Sequence, residues 1–219
     1  MHSVGDKQVE IVGPEDKRQI TALLTCSMSG KILPPQLLYQ GKTLQCTPTS
    51  VRFPQGWDIH FSENHWSNEE TMCRFVDTIL LPYINKMRDS LDLPLKQPAL
   101  CIFDVFAAHR TESFLKKLKK NGIIVKFIPG GCTGELQPLD LSGNAQFKDL
   151  VKKRFVSWYA TEIKKELKAG KKIDDIKVDL KLSSVKVPHA NWVIDALKGL
   201  ESQRDVIRNG WYRSGMLSD

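Results

Sequence analysis

Apolar and polar positions divide this chain into short apolar runs and long amphipathic stretches. Pro98 to Phe106 reads P-A-L-C-I-F-D-V-F, nearly all apolar and without helical period, which predicts a strand buried on both faces with Asp104 as its polar residue. A second apolar run covers Ile123 to Ile128. Nearer the start, Arg18 to Met28 and Ile32 to Tyr39 are β-favouring arms. Gly30-Lys31 supplies a tight turn between them and Pro34-Pro35 opens the second arm, so a hairpin is expected. Gln8 to Val12 alternates as a short strand does. Trp57 to Phe61 is another candidate, set off by the Thr-, Pro- and Ser-rich loop Gly41 to Gly56.

Three longer stretches carry helical spacing. The first runs from Ser67, read as its cap, through Glu69 and Glu70 to about Ser90; Met72, Phe75, Val76, Ile79, Leu80, Tyr83, Ile84 and Met87 form its inner face, and Pro82 predicts a kink. The second is Thr111 to Asn121, with Phe114, Leu115 and Leu118 on one side and Asn121-Gly122 at its end. The third starts beside Asp140 and carries Phe147, Leu150, Val151, Phe155, Trp158, Tyr159, Ile163 and Leu167, through about Lys168. Residues 169–188 read as a polar linker. Residues 189–219 form a short helical tail, helical at Asn191 to Leu200 and Val206 to Tyr212, too small to fold alone and expected to pack on the main domain or on a partner. Strands and helices in this order describe an α/β domain over residues 1–168.

Candidate chemistry begins with two carboxylates. Asp104 ends a strand, and Asp140 lies 36 positions later in L-Q-P-L-D, at a helix entrance. Residues so placed can converge at the edge of a sheet and hold Mg²⁺ or Mn²⁺, hard ions that take oxygen ligands and activate water for attack on phosphate. Either Asp can also serve as an ordinary cap or turn residue, and spacing alone leaves both readings open. His109, five positions after Asp104, is a candidate for phosphate contact or for steadying a metal-bound water; it reads equally as a common loop histidine. Asn144 lies one helical turn past Asp140 on the same face. It suits a neutral partner behind the metal, or a phosphate contact, as well as a plain surface site.

Charge sharpens this picture. The net charge of +7 is −1 over residues 1–110, +6 over 111–168 and +2 over 169–219, so the excess surrounds the second carboxylate. Lys116, Lys117, Lys119 and Lys120 stud one helix; Lys148, Lys152, Lys153, Arg154, Lys164 and Lys165 stud the next. Lys116, Lys120, Lys148, Lys152 and Lys153 are the candidates for a DNA backbone, though amphipathic helices commonly carry a solvated lysine face. Five cysteines show no paired spacing, against a zinc cluster or disulfide framework and in favour of a reduced, intracellular setting. No run approaches a membrane span, and the first residues lack the apolar core of a signal peptide. There is no G-x-S-x-G elbow, phosphate-binding Gly-Lys loop or H-E-x-x-H.

Five ordered motifs give the chain a resemblance: K-R-Q-I-T-A-L-L at Lys17 to Leu24, G-x-x-L-P-P-Q-L-L-Y-x-G-K at Gly30 to Lys42, S-E-N-H-W-S-N-E-E-T at Ser62 to Thr71, F-D-V-F at Phe103 to Phe106, and C-T-G-E-L-Q-P-L-D-L-S-G-N-A-Q-F-K at Cys132 to Lys148. Together they resemble the DDE-type transposase domain of the pogo, Tigger and Jerky group, over about Gly5 to Leu167. The resemblance implies a ribonuclease-H-like mixed sheet flanked by helices, Asp104 and Asp140 as the second and third metal-binding acids, Mg²⁺ or Mn²⁺ as cofactor, DNA as substrate and the nucleus as its place. His109 matches the family's spacing, whereas Val105 stands where many relatives have Asn. Lys7, Val9 and Lys17 to Thr21 match landmarks that follow the first acid, which places the first catalytic aspartate before Met1. None of Asp6, Glu10, Glu15 and Asp16 sits in that motif. The first central strand is then missing, or replaced by Gln8 to Val12, in a domain incomplete at its start. The expectation for this chain is a transposase-derived DDE endonuclease domain that does not cleave DNA. The alternative is a domesticated or degenerate fragment that binds DNA or protein in the nucleus without catalysis. A homo-oligomer, or an amino-terminal DNA-binding domain outside this chain, would complete either.

Overall fold

A β-hairpin opens the described part of the chain, residues 20–218 of the computed structural model. Its arms are β1, Ile20–Leu23, and β2, Gln36–Gln40, antiparallel with Ile20 opposite Tyr39 and Leu23 opposite Gln36. Gly30 makes the turn at φ +83°, a left-handed conformation suited to glycine. A lone bridge between Cys26 and Ile32 extends the pairing toward that turn, so the paired arms are shorter than the β-favouring runs. β3, Asp58–Ser62, adds to β2 in parallel. The expected strand at Gln8 to Val12 lies outside the described residues.

Helical structure from Glu69 to Ser90 follows, and two sequence expectations change here. Asn68, not Ser67, is the cap: its side-chain oxygen accepts from Thr71 N–H while the Thr71 hydroxyl accepts from Asn68 N–H, both at 2.9 Å. Such a reciprocal pair contributes about 1 kcal/mol, and Ser67 is buried beside it instead. Pro82 is also accommodated differently. α1 (Glu69–Phe75) passes through one π turn (Val76–Leu80) into α2 (Leu81–Ser90), with Leu81 N–H donating to the Val76 carbonyl. A wider turn ahead of Pro82 eases the clash its ring makes with the preceding turn and absorbs its missing N–H.

β4, Ala99–Phe103, and β5, Ile123–Phe127, form a second, parallel pair joined through α3, Glu112–Lys120. Ala99, Cys101 and Phe103 from β4 and Ile123 and Val125 from β5 pack with α1, α2 and α3 in a core of Met72, Phe75, Val76, Leu80, Phe114 and Leu118. The opposite face is uncovered among the described residues: Leu100 is 61% exposed and Ile124 51%. The expectation of a strand buried on both faces is therefore corrected. Residue types fit two covered faces, but helices cover only one.

Beyond β5 a short helix, α4 (Thr133–Leu136), occupies the Gly-rich turn, and α5 (Gly143–Lys168) follows. α6, Leu182–Glu201, and α7, Arg204–Arg213, complete the chain. Residues 182–188, assigned to the linker by their polar composition, are the first turns of α6, because Leu182 and Val185 pack against the core while their Lys and Ser neighbours face water. That core joins Ile20, Ala22, Leu37 and Tyr39 of the hairpin to Phe147 and Val151 of α5 and to Val193, Leu197, Leu200 and Ile207 of the last two helices. The described residues thus form a mixed α/β arrangement of two small sheets flanked by helices, without a closed sheet.

Two buried polar devices tie these layers together. Asp58 accepts from Gln36 Nε2 at 2.8 Å and from Arg74 Nε at 2.6 Å, linking β2, β3 and α1. His189 of α6 lies between the rings of Tyr39 and Trp192, and burial pushes its pKa from 6.5 down to about 3. The folded protein therefore holds His189 neutral, while the unfolded chain takes up a proton as pH falls below 6.5. The unfolded state binds more protons between pH 6.5 and about 3, so stability drops through that window. Denaturant midpoints measured at pH 7 and pH 4.5 should fall more for the wild type than for His189→Gln; equal falls contradict a buried neutral imidazole.

Candidate functional site

Asp104 leaves the C-terminal end of β4, where the chain turns away from the sheet. It is only 7% exposed, and a buried carboxylate persists only where donors or a cation replace water. Its Oδ1 accepts the Phe106 backbone N–H at 2.9 Å and His109 Nδ1 at 2.8 Å. A carboxylate only accepts, so Nδ1 carries the imidazole proton. The short 3₁₀ turn Ala107–Arg110 places His109, and the Phe103, Phe106 and Phe114 rings surround it at 5.1, 5.7 and 6.3 Å. His109 is 6% exposed, which puts its ring against Asp104 and away from the solvent-facing position that a direct DNA contact requires.

Asp140 sits in the turn ahead of α5. Its N–H bonds the Gln137 carbonyl at 3.0 Å, and Asn144 N–H bonds the Leu139 carbonyl at 2.8 Å. Asn144 Nδ2 donates to Asp140 Oδ1 at 2.5 Å. From outside, α7 holds the turn: a Cβ on Gly210 would lie 2.2 Å from the Pro138 carbonyl, and Arg213 Nη1 donates to the Leu141 carbonyl. Only glycine permits that approach. The tail helices are thus part of what positions Asp140.

Asp104, Gln137, Pro138, Leu139 and Asn144 line one cavity of about 400 Å³. Asp140 reaches this corner through its bond to Asn144. Two oxygens there, Gln137 Oε1 and Asn144 Oδ1, are buried without a hydrogen-bond partner among the described residues. Orphaned acceptors lining the same cavity as a buried carboxylate suit a cation, and a set made wholly of oxygens suits Mg²⁺ or Mn²⁺ over zinc or copper. Among the described residues no three His, Cys, Asp or Glu side chains form a metal cluster, and the amide oxygens are of the type that can add to a shell begun by carboxylates. Gln137 carried no assigned role in the sequence, although it stands three positions before Asp140 in L-Q-P-L-D. An amide is silent in a search for ionisable ligands.

The lysines lie outside this corner. Lys116 pairs with Glu112 at 2.6 Å and Lys153 with Asp149 at 2.7 Å, both exposed. Lys120, Lys148 and Lys152 are also exposed. Lys148 and Lys152 continue the four-residue spacing from Asn144, rising about 6 Å per step along α5.

Residues 17–211 match the family described as DDE superfamily endonuclease. The chain belongs to that family. This DDE superfamily domain is 27% identical over 155 residues to a human protein named pogo transposable element with KRAB domain and 26% identical to its mouse counterpart, each match covering 70% of this chain. The chain spans 24% of the length of those relatives. A Cochliobolus lunatus protein named MFS-type transporter clz9 is 22% identical over 130 residues, covering 59% of this chain and 13% of that one. No helix among the described residues is long and apolar enough to cross a membrane. No solved structure matches.

Thiol chemistry reads out the cavity walls. Burial raises Cys26 and Cys101, both lining the cavity, to about 12, whereas backbone hydrogen bonding from Thr43 lowers half-buried Cys46 below the usual thiol value. Maleimide labelling at pH 7.5 followed by peptide mass spectrometry should modify Cys46 first and Cys26 and Cys101 last. Early labelling of Cys101 contradicts this packing.

Proposed function

We propose that this chain is a transposase-derived DDE endonuclease domain that holds a divalent cation between Asp104 and Asp140 and binds DNA alongside, without cleaving it. The observation that supports this best is the corner where a buried carboxylate, two orphaned amide oxygens and the Asp140 turn meet at one cavity. In this reading Asp104 and Asp140 provide charge, and Gln137 and Asn144 provide neutral oxygens. His109 and Phe106 N–H fix the Asp104 carboxylate through its Oδ1. A bound Mg²⁺ or Mn²⁺ would polarise a phosphoryl oxygen and acidify a water. In this reading exposed Lys148 and Lys152, one and two turns beyond Asn144, meet phosphates, with Lys116, Lys120 and Lys153 adding longer-range attraction.

Ligand number supports the absence of cleavage in this reading. Two-metal phosphoryl transfer draws carboxylates from several elements, and this reading assigns two, Asp104 and Asp140. The same shortage supports a second reading, a domesticated module that binds DNA or protein. In both, the nucleus is the expected location.

Calorimetric titration with Mn²⁺ tests the cation site. Binding by the wild type should be lost in Asp104→Asn and Asp140→Asn and weakened roughly 10–100-fold in Gln137→Ala. Unchanged affinity in Asp104→Asn removes the site from this corner. Supercoiled plasmid with Mn²⁺ should stay intact, while gel-shift affinity falls with salt and with Lys148→Ala/Lys152→Ala; nicking abolished by Asp104→Ala would overturn the non-cleaving assignment.

A further inference from the structure

Apolar residues along α5 fall into two sets. Phe147, Val151, Phe155 and Trp158 pack into the core that α6 shares. Val156, Ala160, Ile163 and Leu167 follow the spacing i, i+4, i+7, i+11 and, at about 100° per residue, lie about 120–180° round the helix from Val151. Val156 is 55% exposed and Leu167 41%; Ala160 is exposed and Ile163 half-buried. This outward stripe is about 17 Å long and begins about 18 Å along the helix from Asn144, clear of the acidic corner. Lysines border it. Lys152 lies along one edge and Lys164 along the other, with Lys168 beyond, all exposed. The acids of this stretch are occupied: Asp149 pairs with Lys153, Glu162 with Lys165 and Glu166 with Lys171. Among the described residues, Lys152, Lys164 and Lys168 are left without an ion pair.

We infer that this stripe docks a helix of a partner protein, apolar on one face and bordered there by Glu or Asp. An apolar seam at heptad spacing takes an amphipathic helix along its length, burying the four side chains that water now reaches. Lysines without carboxylates on both borders favour acidic neighbours and speed the encounter. Charge also decides among occupants. A second copy of this chain would set lysine borders against lysine borders. Duplex DNA satisfies the lysines but leaves the apolar stripe in water. Glu162 and Glu166, on the same helix, oppose an anionic bilayer. Three turns of helix bury less than a standard protein interface, so the complex belongs to the transient class.

The probe is a synthetic three-heptad peptide with Leu at positions a and d and Glu at e and g, titrated against the full chain by fluorescence anisotropy. It should bind the wild type, less tightly as salt rises, and Val156→Gln/Leu167→Gln should weaken binding at least about tenfold. Lys152→Gln/Lys164→Gln, which leaves the stripe intact, should also weaken binding and flatten its salt dependence; it decides alone if the first variant does not fold. Affinity unchanged in either folded variant overturns the inference, as does equal binding of the same peptide with Lys at e and g. Sedimentation that shows a wild-type dimer lost in Val156→Gln/Leu167→Gln assigns the stripe to a second copy. Binding to phosphatidylserine vesicles that the same variant loses assigns it to a membrane, and either result overturns a partner helix.

Discussion

Burying the Asp104 carboxylate is the constraint on which the rest of the site depends. A charge with so little access to water must be surrounded by donors or by a cation. The local chain answers part of that demand, with the Phe106 N–H and the His109 ring meeting one oxygen. The aromatic shell of Phe103, Phe106 and Phe114 keeps water from competing and holds the imidazole in place. The elements beyond β4 add more of the cavity that Asp104 lines. The turn carrying Gln137 and Asp140 is brought to the same cavity by α5, and α7 clamps it from behind through Gly210 and Arg213.

This accounts for the role of the last two helices. They contribute much of the core against the hairpin, with Val193, Leu197, Leu200 and Ile207 packed on Ile20, Leu37 and Tyr39. Their placement also fixes the geometry of a turn some 70 residues earlier. The family match to residue 211 fits that dependence, because the chain needs α7 for the turn to hold its shape.

Much of the architecture is written in local pattern. The hairpin follows from a glycine between two β-favouring arms, β4 and β5 from short runs that are apolar but for Lys126, and α3 and α5 from apolar spacing. What pattern could not give depends on partners distant in sequence. The covering of one face of β4 is decided by where helices land, so Leu100 and Ile124 are exposed despite their composition. Helix onset near residue 182 depends on Leu182 and Val185 finding the core, which a polar stretch conceals. At the site, the two aspartates stand out as the carboxylates that end elements. Gln137 did not, because an amide oxygen gains importance only from losing its partners. His109 was visible as a candidate, but its burial against Asp104 was not.

The account's central claim is that Asp104 and Asp140 share one hard cation. Anomalous diffraction from crystals soaked in Mn²⁺ tests it most directly. The predicted result is a peak about 2.0–2.4 Å from oxygens of both carboxylates, with Gln137 Oε1 or Asn144 Oδ1 completing the shell. A well-ordered cavity that stays without a peak at saturating Mn²⁺, or a peak bound elsewhere on the molecule, would contradict it.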